Sequence, residues 1–172
     1  MNKSEQKATE QVANLMCVSA RTAPKACGID NIETLIVKKD KILYLAKAMQ
    51  KIAKTEKKPS FARDAKNILN CDIVVLIGTK IKPIGLRVCG FCGFKDCATA
   101  QKKDAVCSFN SIDLGIAVGS AVGIAALFHI DNRIMYSVGK TALELGLFKK
   151  DVKIALGVPL SASGKNIFFD RA

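Results

Sequence analysis

The chain has 172 residues, 49% of them hydrophobic, and a formal net charge of +12. That length fits one domain, 1–172, with a substantial core, and that apolar fraction excludes a disordered chain. Lysine supplies nearly all the positive charge, spread along the sequence, with arginine only at Arg21, Arg63, Arg87, Arg133 and Arg171; a solvated lysine surface is therefore expected, not a nucleic-acid partner.

Residues 4–22 place Val12, Leu15, Met16 and Ser19 on one stripe and predict an amphipathic helix, capped by Ser4 and ended by Pro24. A polar turn runs from Arg21 to Asp30. Residues 32–38, rich in β-branched side chains, predict a strand. Asp40 then caps a helix to about Ala53, with Ile42, Leu45, Ala46, Met49 and Ile52 on its buried face. Residues 54–60 form a charged loop and 61–69 a short helix. Residues 72–79 are apolar on both faces and predict a central strand. After the cysteine-rich stretch come an apolar helix over 112–130, capped by Ser111 or Asp113, a strand over 133–138, a helix over 140–147 and a strand over 151–158. The alternation of helices and strands predicts an α/β or α+β domain.

The apolar run from Leu114 to Phe128 is shorter than the roughly 20 residues a bilayer requires and is bracketed by Asp113 and Asp131, so no membrane span is expected. Gly115, Gly119 and Gly123 lie four apart on one face. A helix of this kind is expected to be buried on all sides, at the domain centre or a dimer interface. His129, the one histidine, sits at the C-terminal end of that helix, where packing against the dipole explains it better than ligation. Asp113 reads as a helix cap before it reads as a base. Motifs for hydrolysis and nucleotide binding are missing from the sequence.

The sequence singles out Cys89-Gly-Phe-Cys92-Gly-Phe-Lys-Asp-Cys97, closed by Cys107. These four thiols span nineteen positions with the spacing C-x2-C-x4-C-x9-C. Two cysteines two apart bring both sulfurs to one point, while Gly90 and Gly93 permit the tight backbone that such a knuckle needs. Lys95, Lys102 and Lys103 favour thiolates, and Phe91, Phe94 and Phe109 are candidates to wall the sulfurs from water. Residues 86–110 therefore read as a metal or cluster loop inserted after the central strand. Four thiolates suit an iron–sulfur cluster or structural zinc, and redox-active or disulfide-forming cysteines are a third option. Of the 7 cysteines, Cys17, Cys27 and Cys71 fall outside this set and read as small buried hydrophobes. An odd count with no leader pattern points to a reducing cytoplasm.

The cysteine string, together with Asp113-Leu-Gly-Ile-Ala-Val-Gly-Ser-Ala, Asp131-Asn-Arg-Ile-Met-Tyr-Ser-Val-Gly139 and the tail from Pro159 to Arg171, resembles a family of uncharacterised proteins with a ferredoxin-type domain. That resemblance implies iron–sulfur binding, and a 4Fe-4S cluster is the type expected on the four cysteines. More distantly, Ala20-Arg-Thr-Ala-Pro24 followed by a strand, the long apolar helix, and Ala155-Leu-Gly157-Val-Pro159 resemble the FMN-dependent nitroreductase fold. This implies an α+β, three-layer homodimer built on the 113–130 helix, with flavin between subunits and its phosphate held by Arg21, Lys25, Lys165 and Arg171. The chain departs from that pattern in lacking a basic arm before the first helix and in placing Lys25 and Cys27-Gly28 after the proline. Three functions remain open here: an iron–sulfur electron-transfer protein with an unknown redox partner, a zinc-stapled binding protein, and an FMN oxidoreductase with an accessory cluster.

Overall fold

The computed structural model describes residues 2–170. Its elements, in order, are α1 (Lys3–Thr22), β1 (Ile32–Lys38), α2 (Lys39–Thr55), α3 (Pro59–Leu69), β2 (Ile73–Lys80), α4 (Cys97–Lys102), α5 (Ser108–Leu127), β3 (Asp131–Asn132), α6 (Tyr136–Glu144) and β4 (Val152–Ser161). The strands form one sheet in the order β1-β2-β4-β3, with every neighbour antiparallel.

The central strand explains the layering. Alternate side chains of β2 point to opposite faces. Val74 and Leu76 enter a core made with α2, α3 and α6, and Ile73, Val75 and Ile77 enter a second core made with α1 and α5. All five are at most 4% exposed. Their burial contributes on the order of 10 kcal/mol of gross transfer free energy, opposed by the entropy of ordering the chain. The result is an α+β domain of three layers, helices on both faces of the sheet.

Local chemistry sets the helix ends, and here the structure corrects the expected caps. Asn2, not Ser4, caps α1: its Oδ1 accepts from the Ser4 and Glu5 N–H groups at 2.9 Å, and the Asn2 N–H donates to Glu5 Oε2 at 2.7 Å. α2 starts without a side-chain cap, Asp40 lying inside its first turn. α5 starts four residues before the apolar pattern does, at Ser108 with Cys107 as cap, and Asp113 lies inside the helix.

The strand expected over 133–138 is also corrected. Pairing ends after Asn132, Met135 makes an isolated bridge to Gly157, and α6 begins at Tyr136. The helix wins because it presses its backbone onto β4. A Cβ at Gly139 would lie 2.0 Å from the Ala155 carbonyl oxygen. Ser137, Val138, Thr141 and Ala142 are buried at helical spacing. Asp64 joins α3 to α6: it accepts from Arg63 Nε and Nη2 at 2.9 and 2.8 Å and from the Ser137 hydroxyl at 2.5 Å.

α5 is not buried on all sides. Leu114, Ala117, Val118, Ala121 and Ala125 face the core, and the Ser19 and Ser120 hydroxyls meet at 2.6 Å between α1 and α5. On the opposite face a Cβ at Gly115, Gly119 or Gly123 would meet nothing within 4 Å. One sheet face has room for only one side of this helix. By length and composition α5 would cross a membrane, but 39% of its apolar window is packed inside the domain, as the core helix of a folded protein also is.

Candidate metal centre

Residues 81–107 join β2 to α5 and carry four cysteines. Gly90 and Gly93 take φ of 90° and 81°, in the left-handed region that glycine tolerates, and the Gly93 N–H donates to the Gly90 carbonyl at 2.8 Å. That turn places Cys89 and Cys92 on one bend. Cys97 opens α4, capped by Asp96, whose Oδ1 accepts from the Thr99 N–H at 2.7 Å. This backbone hydrogen bond is the main reason the Asp96 carboxyl sits below the usual carboxylate range. Cys107 is the N-cap residue of α5.

These positions converge. Cys89, Cys92, Cys97 and Cys107 all line one small cavity of about 20 Å3, together with Phe91, Phe94 and Phe109. Phe91 stacks on Phe109 with ring centroids 5.6 Å apart. Exposure falls from Cys89, at the surface, through Cys92 and Cys97 to buried Cys107. All seven thiols are free. Among the described residues, no three His, Cys, Asp or Glu side chains are gathered in an arrangement that would hold a metal ion. The cavity unites the four sulfurs without drawing them to ligating distance. The donor set fits a thiolate-bound centre: four soft donors, an apolar wall, and a nearby carboxylate already engaged as a helix cap.

Two residues outside the sequence-based site hold its ends. Asn110, fully buried, accepts from the Lys82 N–H at 3.0 Å, which fastens the start of the cysteine segment to the first turn of α5 beside Cys107. Asp113, 3% exposed, accepts from the Ala26 N–H at 3.1 Å and ties α5 to the turn after α1. Polar residues at i and i+3 on an apolar helix were the available signal. Asn110 Nδ2, Asp113 Oδ2 and Asn31 Nδ2 are buried with no partner among the described residues, a condition that ordered water commonly relieves.

Of the four residues matched to a flavin phosphate, Arg21 and Lys25 are engaged at the turn after α1. Lys25 Nζ donates to the carbonyls of Arg21, Ala23 and Ala20 at 2.6, 2.8 and 3.2 Å. An ammonium has three donors, so Lys25 has none left for a phosphate. Arg21 pairs with Asp30 and donates to the Ile32 carbonyl at 2.6 Å. Burial pushes the Asp30 carboxyl up, but the hydrogen bonds from Arg21 and Ile32 and the charges of Arg21 and Lys25 outweigh it and leave it below its ordinary value. Lys165 is exposed in the tail, and its carbonyl accepts from Ser163 at 2.6 Å. Arg171 lies outside the described residues. As they stand, Arg21 and Lys25 serve the turn after α1.

His129 is exposed, with φ of 56°, one residue beyond the C-cap of α5. Cys71 is the opposite case. Desolvation, with a smaller contribution from the Asp72 charge, pushes its thiol up to about 12. Its Sγ donates to the Asn67 carbonyl at 3.4 Å.

The domain has the fold of FMN flavoproteins. It is similar to an oxidoreductase containing FMN, with a TM-score of 0.63 at 14% identity over 96% of this chain and 69% of that one. It is also similar to a nitroreductase with bound FMN from Desulfitobacterium hafniense, with a TM-score of 0.63 at 12% identity over 91% of this chain and 79% of that one. At these identities the likeness is one of fold. In sequence, the chain is 42% identical over 169 residues to an uncharacterized protein of Archaeoglobus fulgidus, covering 93% of this chain and 90% of the relative. Residues 103–171 match the family described as "Uncharacterized protein containing a ferredoxin domain (DUF2148)", a stretch that holds Cys107 but not the other three cysteines of the cavity. A nitroreductase-like scaffold with four thiols on one cavity thus accompanies a family match over the C-terminal part and close identity over nearly the whole length, and the chain belongs to this family of ferredoxin-domain proteins.

Proposed function

We propose that the chain is an iron–sulfur redox protein in which Cys89, Cys92, Cys97 and Cys107 hold a 4Fe-4S cluster and exchange single electrons with a partner. The observation that carries this reading is the common cavity lined by all four cysteines, two from the glycine-rich turn, one from the start of α4 and one from the N-cap of α5. When bound, such a cluster supplies reversible one-electron transfer at a potential set by its surroundings. The chain's own residues supply those surroundings. Cys107 sits at the positive end of the α5 dipole, which favours an anionic sulfur there. Lys95 adds positive charge at the cavity. The Phe91–Phe109 stack sets an apolar wall beside the cavity. Anaerobic purification followed by absorbance, iron and acid-labile sulfide analysis tests the reading. Brown protein with matched iron and sulfide is expected, and colourless protein with one zinc per chain would overturn it.

One observation favours a second reading, a zinc-stapled loop. A cavity of about 20 Å3 accommodates little more than one water-sized sphere, which suits a single ion without rearrangement. Zinc would then act as a structural clamp and make the melting temperature chelator-sensitive. The same metal and sulfide analysis separates the two readings.

The open glycine face of α5 supports a homodimer. Ile112, Ile116, Leu127 and Phe128 are 44%, 41%, 68% and 47% exposed, and Leu15 and Val18 of the adjoining α1 add 44% and 58%. Contiguous apolar surface of this kind is usually an interface, and the small residues allow a second copy of α5 to approach closely. Free thiols throughout suit a reducing compartment, so we place the protein in the cytoplasm.

A further inference from the structure

The cysteine segment exposes apolar side chains that proteins usually bury and surrounds them in sequence with positive charge. Val88, next to Cys89, is 94% exposed, and Phe91, which lines the thiol cavity, is 70% exposed. Around them the segment carries Lys82, Arg87, Lys95, Lys102 and Lys103, all exposed, and none of them forms an ion pair among the described residues. Elsewhere several basic side chains are engaged, as in Lys38–Glu10, Arg63–Asp64 and Lys80–Asp151. Asp96, one of the acids in the segment, is turned to its own helix N–H groups. Lys102 stands about 8 Å along α4 from Cys97, a distance within one Debye length in ordinary buffer.

We propose that this segment is the docking face for a small, strongly acidic electron carrier, an inference that rests on the redox reading above. The carrier sets its apolar contact on Val88 and Phe91, and its carboxylates face Arg87, Lys95, Lys102 and Lys103. A cluster held by the four cysteines would accept one electron from the reduced carrier, which is thereby oxidised, and no bond would form or break. The chemistry matches how transient redox pairs associate: a small apolar centre, a ring of complementary charge that speeds encounter, and no large buried area. The exposed Phe91 ring bridges the contact to the cavity, because it stacks on Phe109 beside the sulfurs.

Calorimetric titration of the anaerobic full-length protein with an acidic flavodoxin tests this, at salt on the order of 20 and 200 mM. Saturable one-to-one binding that weakens with salt is expected. The triple change Arg87→Glu, Lys102→Glu, Lys103→Glu should weaken it at least tenfold and Val88→Ser about threefold, an apolar contact being worth less than a charged ring here. Lys47→Glu, Lys51→Glu, Lys54→Glu on α2 alters net charge equally and should change affinity less than twofold. Absence of salt-sensitive saturable binding, or equal weakening by the two triple variants, would overturn the proposal. So would tighter binding to a single-stranded oligonucleotide or to phosphatidylglycerol vesicles than to flavodoxin. Absorbance and sulfide content, measured on every sample, separate the two failures: coloured protein that does not bind ends the docking proposal alone, and colourless protein ends the redox reading and the electron-carrier proposal with it.

Discussion

Lys25 Nζ reaches back to the Arg21 carbonyl at 2.6 Å and closes the C-terminal end of α1. A cation at that place satisfies carbonyls that the helix cannot pair itself and meets the negative end of its dipole. A residue whose sequence position suggests an anion site is thereby a structural cap. Lys25→Met should lower stability by about 2 kcal/mol, the scale of lost charge-assisted hydrogen bonds. The visible absorbance expected of the proposed cluster should not change. Titration of the unmodified protein with FMN, followed by flavin fluorescence, should show no saturable quenching; micromolar binding lost in Lys25→Met would reverse this view of the residue.

The four cavity cysteines and the other three should separate cleanly. Serine at Cys89, Cys92, Cys97 or Cys107 should each bleach the anaerobic visible spectrum, since serine oxygen is a poor ligand for iron in such a centre. Serine at Cys17 or Cys27 should leave the spectrum intact, because neither lines the cavity. Retention of colour after the Cys107 change would break the link between the loop and α5.

Cys71 predicts an alkaline weakness. Its folded thiol, raised to about 12 from 9.0, keeps its proton in a window where the unfolded chain has lost it. Unfolding then releases a proton, so stability is intact below about pH 9 and falls as pH rises through the window, by at most about 1.4 kcal/mol per pH unit. Urea unfolding at a series of alkaline pH values should show this slope, and Cys71→Ala should flatten it. Cys71→Ala should also cost about 1 kcal/mol near neutral pH, from the lost packing and hydrogen bond.

Gly139 is the tightest point between α6 and the sheet. A Cβ there would overlap the Ala155 carbonyl oxygen at 2.0 Å, and backbone cannot turn aside as a side chain can. Gly139→Ala should destabilise the domain by about 3 kcal/mol, at the upper end of overpacking penalties. Thermal unfolding by circular dichroism measures it.

Gly119 is the contrasting glycine. Nothing lies within 4 Å of where its Cβ would stand, so a large residue costs the single chain little. Gly119→Arg should convert a dimer into a folded monomer in sedimentation velocity, with the melting profile of the monomer preserved. A dimer that survives this change would place the interface elsewhere.

The sequence by itself determined β1, α2 and β2 closely, because each carries one strong period: β-branched residues over 32–38, a helical stripe from Ile42 to Ile52, and an apolar run at 73–77 that only a central strand can bury. It also marked the four cysteines, whose chemistry does not depend on where the chain runs. Tertiary structure decided the rest. Only packing against β4 made residues 136–138 the start of a helix, since their alternating pattern fits a strand equally well until Gly139 meets Ala155. Only the fold revealed Asn110 as the clasp on Lys82, and Lys25 as a cap whose three donors are spent on α1. Residue type fixes which bonds a side chain can make; the three-dimensional arrangement fixes which of its possible partners arrives within reach.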